Sequence, residues 1–332
     1  MFCKNCKNPH PMKIDFSMPI ETPVLFMVFN RPDKTRQVFE AIRSVRPKKL
    51  YVAMDHPRTG RLDDDENCAK VKAIVENVNW PCETHYLYHP ENRGCTLAGK
   101  MAWDWLFSQE ESMIFLEDDG LPNKSFFYFT QAMLERYRDD TRIAYVGGVN
   151  YGLKYGTKSY FFSHLPAATY AMGTWRRVYE KYEYKMESFC KPGISKKLRK
   201  CFPDSFSYNY FLPRFKKYVN QGGNTYDIQM IYLCYSTGML SIAPNVNMVS
   251  NIGMDGGANN HADVNSAIYR QFANRPRHEI EAIFDPDEIA VDEAFEKQWF
   301  NVRVLHGNSR FKIGLKLFVK QCLGLFISKY KY

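Results

Sequence analysis

The 332-residue sequence holds no apolar run long enough to cross a bilayer and no charged-then-apolar leader at its start. Neither a GxxxxGK(S/T) loop nor a GxGxxG turn occurs, which disfavours a P-loop enzyme and a dinucleotide oxidoreductase. Internal repeats and low-complexity tracts are absent. Cysteine occurs nine times, an odd and scattered set that fits a reducing cytosol better than a disulfide framework. Cys3-x-x-Cys6 with His10 has no second ligand pair at zinc spacing, and residues 1–22 read as an N-terminal tail. The last stretch, "RFKIGLKLFVKQCLGLFISKYKY", has no acidic residue at all.

The net charge of +9 could serve nucleic acid, anionic lipid or a phosphate-bearing substrate, and its placement separates these. In a helix, Lys312, Lys316 and Lys320 fall on one face, with Phe311, Leu315, Phe318, Cys322, Leu325 and Phe326 over much of the remainder. The expectation is a basic amphipathic helix over about 310–332, lying in a membrane interface and held by anionic lipid. The alternative is a terminal helix packed on its own domain with solvated lysines. Basic residues gather here instead of in a groove-reading motif, so nucleic acid is not an expected partner. The expected location is the cytoplasm, peripheral on the inner face of the cytoplasmic membrane.

An apolar content of 45% with 15% aromatics excludes a disordered chain and supplies a large core. From residue 24 the pattern alternates. "VLFMVF", "KLYVAM", "THYLYH" and "MIFL" read as strands, and helices are expected from Pro32, over 66–78 and over 96–107. The fold class expected is α/β, a largely parallel, Rossmann-like sheet flanked by helices. In such sheets ligands bind beyond the carboxyl ends of the strands. Those ends carry Asn30-Arg31, then Asp55 and Arg58, then Asn92-Arg93-Gly94, then Glu117-Asp118-Asp119.

Three adjacent carboxylates leaving an apolar strand repel one another unless a cation or water compensates them. Magnesium-type sites use one or two carboxylates together with substrate phosphates, so this trio suits a metal that holds a diphosphate. The acidic run at 62–67 has similar composition but reads as a solvated polar loop. Asp55 could accept from a nucleobase or ribose, or bond its own turn. Asp227 opens an expected helix over 226–240, where it is either a cap or a general base kept ionised by the helix end. The Gly-rich polar loop at 254–264 is of a kind that folds over ligands.

Taken in order, "VFNRPDKT", "MDHPRTGRLDDDE", "ENRGCTLAGKMAWDWLF", "IFLEDDGLPNKSFFYF", "TWRRVYEKY" and "APNVNMVSNIG" resemble the bacterial nucleotide-diphospho-sugar transferases of the GT-A type. That hemolysin-related group is distantly similar to animal N-acetylglucosaminyltransferase I. The resemblance covers about residues 23–262 and implies a nucleotide diphosphate sugar as donor, UDP-sugar favoured, and a glycan or lipid-linked acceptor. It implies a donor half over 23–150, an acceptor-binding and catalytic half over 151–265, and a C-terminal extension over 266–332. Asp119 would bind Mn2+ or Mg2+, and Glu117 and Asp118 would face the donor ribose or sugar. Asn30, Arg31, Asp55 and Arg58 would line the nucleotide, and Asn92 and Gly94 would let the chain approach it. Asp227 would be the base of an inverting displacement. Where the family has "WGWATW" this sequence has "YAMGTW", and Trp175 is the tryptophan kept for the acceptor. His261, or Asn260 beside it, would reach the metal or diphosphate. The rival readings are a sugar-nucleotide pyrophosphorylase or other nucleotidyltransferase, and a non-catalytic membrane-associated carbohydrate-binding protein.

Overall fold

The computed structural model describes residues 11–223, 226–254, 272–306 and 308–322. In chain order the first elements are β1 (Met12–Lys13), β2 (Val24–Val28), α1 (Pro32–Val45), β3 (Lys49–Met54), α2 (Leu62–Val75), β4 (Glu83–Tyr88), α3 (Cys95–Phe107) and β5 (Ser112–Glu117). Pro32 sits in the first turn of α1, where its missing N–H costs nothing, and Val38, Ile42 and Val45 turn one face into the core. β2 lies between β3 and β5 in parallel register, Val24 opposite both Leu50 and Ile114. β2 and β5 are buried along nearly their whole length, as continuous apolar strands between helices should be.

The chain continues through β6 (Gly120–Pro122), α4 (Lys124–Arg136), β7 (Ile143–Gly147), β8 (Tyr160–Ser163), β9 (Ala171–Trp175), α5 (Arg176–Tyr179), α6 (Ile194–Cys201), α7 (Ser205–Gln221) and α8 (Asp227–Thr237). β10 (Leu240–Pro244), β11 (Val249–Asn251), β12 (Ala282–Ile283), α9 (Glu293–Arg303) and α10 (Arg310–Cys322) complete it. The main sheet has eight strands in the order β4-β3-β2-β5-β9-β7-β10-β8. β9 and β8 run against their neighbours, and the other six run one way. Six strand C-termini therefore share one rim. Because β9 is reversed, its N-terminal approach, Thr169-Tyr170, joins that rim.

The α/β class is as expected, with four differences of detail. α2 begins at Leu62, so the acidic run at 62–67 is no solvated loop; Asp63, Asp64 and Asp65 sit in a first helical turn, where the N-terminal partial charge favours acids. The stretch after the carboxylate trio is the short strand β6, paired antiparallel with β11, and Asn123 then caps α4 through Phe126 N–H at 3.1 Å. β9 lies between β5 and β7, so one sheet runs through both halves without a break near residue 150. The chain is already held from Met12, where β1 pairs with β12, and Ile20 is fully buried, so residues 12–22 are not a loose tail.

Among the described residues no helix is long and apolar enough to cross a membrane. α10 rests on α7, with Gly314 against the Phe206 ring.

Candidate active site

Glu117 ends β5, and Asp118 and Asp119 form the turn into β6. The turn is fixed from outside, because the Asp119 carbonyl accepts from Ile252 N–H at 2.9 Å just beyond β11. Both aspartates are buried. Arg31, held at the entry to α1 by the proline after it, reaches across the rim to them. Its Nη1 donates to Asp119 Oδ2 at 3.0 Å and its Nε to Asp118 Oδ2 at 3.3 Å, with a further short contact from Nη2 to Asp118 Oδ1.

One guanidinium faces three acids, and the titration of Glu117 and Asp118 reflects their burial and the unbalanced charge. Burial first, then Asp119, pushes Glu117 up to about 8, although the Tyr226 hydroxyl donates to it. Burial pushes Asp118 up to about 6, with Arg31 opposing and Asp119 adding. Arg31 itself is desolvated, but Asp118 and Asp119 outweigh that and hold it firmly protonated. A second cation would relieve this excess. Asp119 Oδ1 is buried and has no hydrogen-bond partner among the described residues, which leaves an oxygen available to such a cation. Among the described residues no three His, Cys, Asp or Glu side chains form a metal cage. A magnesium-type ion does not need one when phosphate oxygens complete its shell. Gly253 is required beside this group, since a Cβ there would collide with Asp119 Oδ2 and stand 2.7 Å from Arg31 Nη1.

The other rim residues fall into two clamps. Asp64 is buried and accepts from Arg58 Nε at 2.6 Å, from Arg58 Nη2 at 2.8 Å and from Asn30 Nδ2 at 2.6 Å. The Arg58 hydrogen bond, helped by Asn30, holds the Asp64 carboxyl down at about 2 against its burial. Asp55 spends its two oxygens on backbone amides, those of Arg93 at 2.8 Å, Gly94 at 2.9 Å and His56 at 3.0 Å. Asn92 Nδ2 donates to the His56 carbonyl at 2.6 Å, and Gly94, at φ +73, turns the chain into α3. Asp55, Asn92 and Gly94 thus lock the loop after β4 onto the end of β3.

Asp227 is the first residue of α8 and is tied to the trio by its neighbour, since Tyr226 reaches Glu117. Its Oδ1 accepts from Thr169 Oγ1 at 2.6 Å and lies 3.9 Å from Arg303 Nη2 at the end of α9. Among the described residues its Oδ2 makes no hydrogen bond. Asp227 therefore faces the rim and does not cap its own helix.

Trp175 is corrected by its position. It is buried at the far edge of the sheet, opposite Ser112 at the start of β5, where Nε1 donates to the Leu134 carbonyl at 3.1 Å and Arg177 lies 4.4 Å over the ring. The reversal of β9 carries it to the end of the sheet opposite the rim. His261 and Asn260 lie outside the described residues, as does nearly all of the loop at 254–264. Sequence reasoning missed Asp64, Thr169, Tyr226 and Arg303. Asp64 had a signal in the acidic run, whereas Thr169 and Arg303 reach Asp227 only through the tertiary fold. An open cavity of about 580 Å3 lies beside β6 and β11, lined by Leu121, Asn123, Ser250 and Arg277 among others. Glu117, Asp118, Asp119 and Asp227 do not line it, and the buried charge locates the chemistry more directly than a void does.

No family model and no curated protein matches this chain. Several solved structures are similar to it. Residues 1–349 of TarS from S. aureus align at 13% identity and a TM-score of 0.33, over 48% of each chain, so the chain spans about half of that structure. The mannosyltransferase PcManGT from Pyrobaculum calidifontis, solved with GDP-Man and Mn2+, aligns at 12% identity and a TM-score of 0.37, over 69% of this chain and 77% of that one. A UDP-glucose pyrophosphorylase complexed with UDP-glucose aligns at 10% identity and a TM-score of 0.25, over 45% and 63%.

Proposed function

We propose that this chain is a glycosyltransferase that moves a sugar from a nucleotide diphosphate sugar, UDP-sugar favoured, to a hydroxyl of a glycan or glycolipid. The observation that carries the reading is the half-buried Glu117 with the buried Asp118-Asp119 pair, a group short of cations and joined through Tyr226 to the carboxylate of Asp227. Asp119, through its unpartnered Oδ1, would hold Mn2+ or Mg2+, with His261 as a second ligand. That ion, when bound, would neutralise charge developing on the departing diphosphate. Arg31 bonds both aspartates and aims them at the rim. Asn30, Arg58, Asp55, Asn92 and Gly94 shape the nucleotide side, with Glu117 and Asp118 toward ribose or sugar.

Thr169 and Arg303 orient Asp227 from one side, which leaves Oδ2 to take the proton of an acceptor hydroxyl as it attacks the anomeric carbon. Attack from the face opposite the diphosphate inverts the sugar. The reading extends to a peripheral site on an anionic membrane through α10, where lipid-linked acceptors would be met.

The test is release of free nucleoside diphosphate from a panel of nucleotide sugars with Mn2+, preceded by a screen for donors that raise the melting temperature. Asp119→Ala should lower transfer by about 10²-fold or more, the scale of several kcal/mol of charge stabilisation. Asp227→Asn should lose about 10²- to 10⁴-fold. Full activity in Asp119→Ala would remove the metal assignment, and full activity in Asp227→Asn would remove the base.

A further inference from the structure

The described part of α10 turns Ile313 and Gly314 toward the body and its larger apolar residues away from it. Phe311, Leu315 and Phe318 are 79%, 53% and 64% exposed, at the i, i+4, i+7 spacing of one helix face. Lys312 and Lys316 are exposed beside them. Water is a poor solvent for such a face, and a headgroup boundary accepts both kinds of side chain.

The helix does not stand alone. Arg310, its first residue, pairs with Asp204 and lies 5.4 Å over Phe206 and 5.3 Å over Phe300. Asp204 is the N-cap of α7, accepting from Ser207 N–H at 2.7 Å, and sits at the junction of α6 and α7. Residues 190–221 carry eight Lys or Arg and only that one acid. Arg310 and the α7 amide consume it. Lys196, Lys197, Arg199 and Lys200 on α6 are all exposed. Residues 190–221 are therefore strongly positive, with their single carboxylate already engaged.

We infer that the lipid dock is composite: α10 supplies the inserting apolar residues, and α6 supplies a second cationic patch for anionic headgroups. This rests on the membrane reading of α10 given above. The dock is joined to Asp227 through α9. Phe300 meets Phe206 with ring centroids 6.1 Å apart, and Arg303, one turn on, is 3.9 Å from Asp227. About 5 Å of α9 separates the two contacts.

The experiment is sedimentation of the full chain with phosphatidylcholine vesicles, with and without a one-third fraction of phosphatidylglycerol. Three proteins are compared: the wild type, the exposed triple substitution Lys196→Gln, Lys197→Gln, Lys200→Gln, and Leu315→Ser with Phe318→Ser. Melting temperatures serve as folding controls. The wild type should bind only the anionic vesicles, the α10 variant should lose binding, and the lysine triple should bind about 10²-fold more weakly. If the lysine triple binds as the wild type does while the α10 variant is lost, the composite dock is wrong and the α10 reading stands. Wild-type protein that ignores anionic vesicles sinks both.

Discussion

Replacing Asp64 by Asn keeps its shape and removes the charge that gathers Asn30 and Arg58. A carboxylate whose pKa falls from 3.8 to about 2 on folding gains at most about 2.4 kcal/mol at neutral pH. The Arg58 side chain is 35% exposed, so water screens part of this and about 1–2 kcal/mol is the realistic loss. For a chain of 332 residues that corresponds to a fall in melting temperature of about 2 °C. The sign follows from the lowered pKa. The stabilisation is full above the unfolded value near 4, about half remains at pH 3, and it is nearly gone at pH 2. Urea midpoints of wild type and variant, measured from pH 7 down to pH 3, should therefore converge as the buffer is acidified. Because Asn30 and Arg58 lose their common anchor, stabilisation by a nucleotide sugar should fall as well. A gap of equal size at pH 7 and pH 3, or none at pH 7, would refute the reasoning.

Two further substitutions separate site from scaffold. Gly253→Ala places a methyl against Asp119 Oδ2 and Arg31 Nη1 and should cost about 1–3 kcal/mol of stability, with metal-dependent diphosphate release falling further than the melting temperature implies. Wild-type behaviour in both assays would mean that the turn yields easily. Trp175→Phe removes the Nε1 bond to Leu134 and weakens the Arg177 contact, so about 1–2 kcal/mol of stability should go while the acceptor KM stays put. A changed acceptor preference at unchanged stability would return Trp175 to the acceptor site.

What the sequence made legible and what it hid divide along one physical line. β2, β3, β4 and β5 were readable because each is a short apolar run followed at once by polar residues, and a parallel sheet forces such ends to one rim. The trio was readable for the same reason, since Glu117 is both a strand terminus and a charge. The partners of these residues were not readable. Whether Asp55 was to meet a ribose or its own turn depended on the loop after β4, whose Arg93 and Gly94 amides now hold it. Asp64 looked solvated because it sits in a polar, acidic run; Arg58 and Asn30, brought to it by the fold, close over it. The direction of β9 had no local signature at all. Periodicity is blind to strand polarity, so the same five residues that run with the sheet or against it read identically. That one reversal takes Trp175 to the far edge and brings Thr169 to Asp227, exchanging an expected acceptor residue for a hydroxyl that orients the proposed base. Local chemistry thus located the rim, and long-range pairing decided which side chains there are free to act.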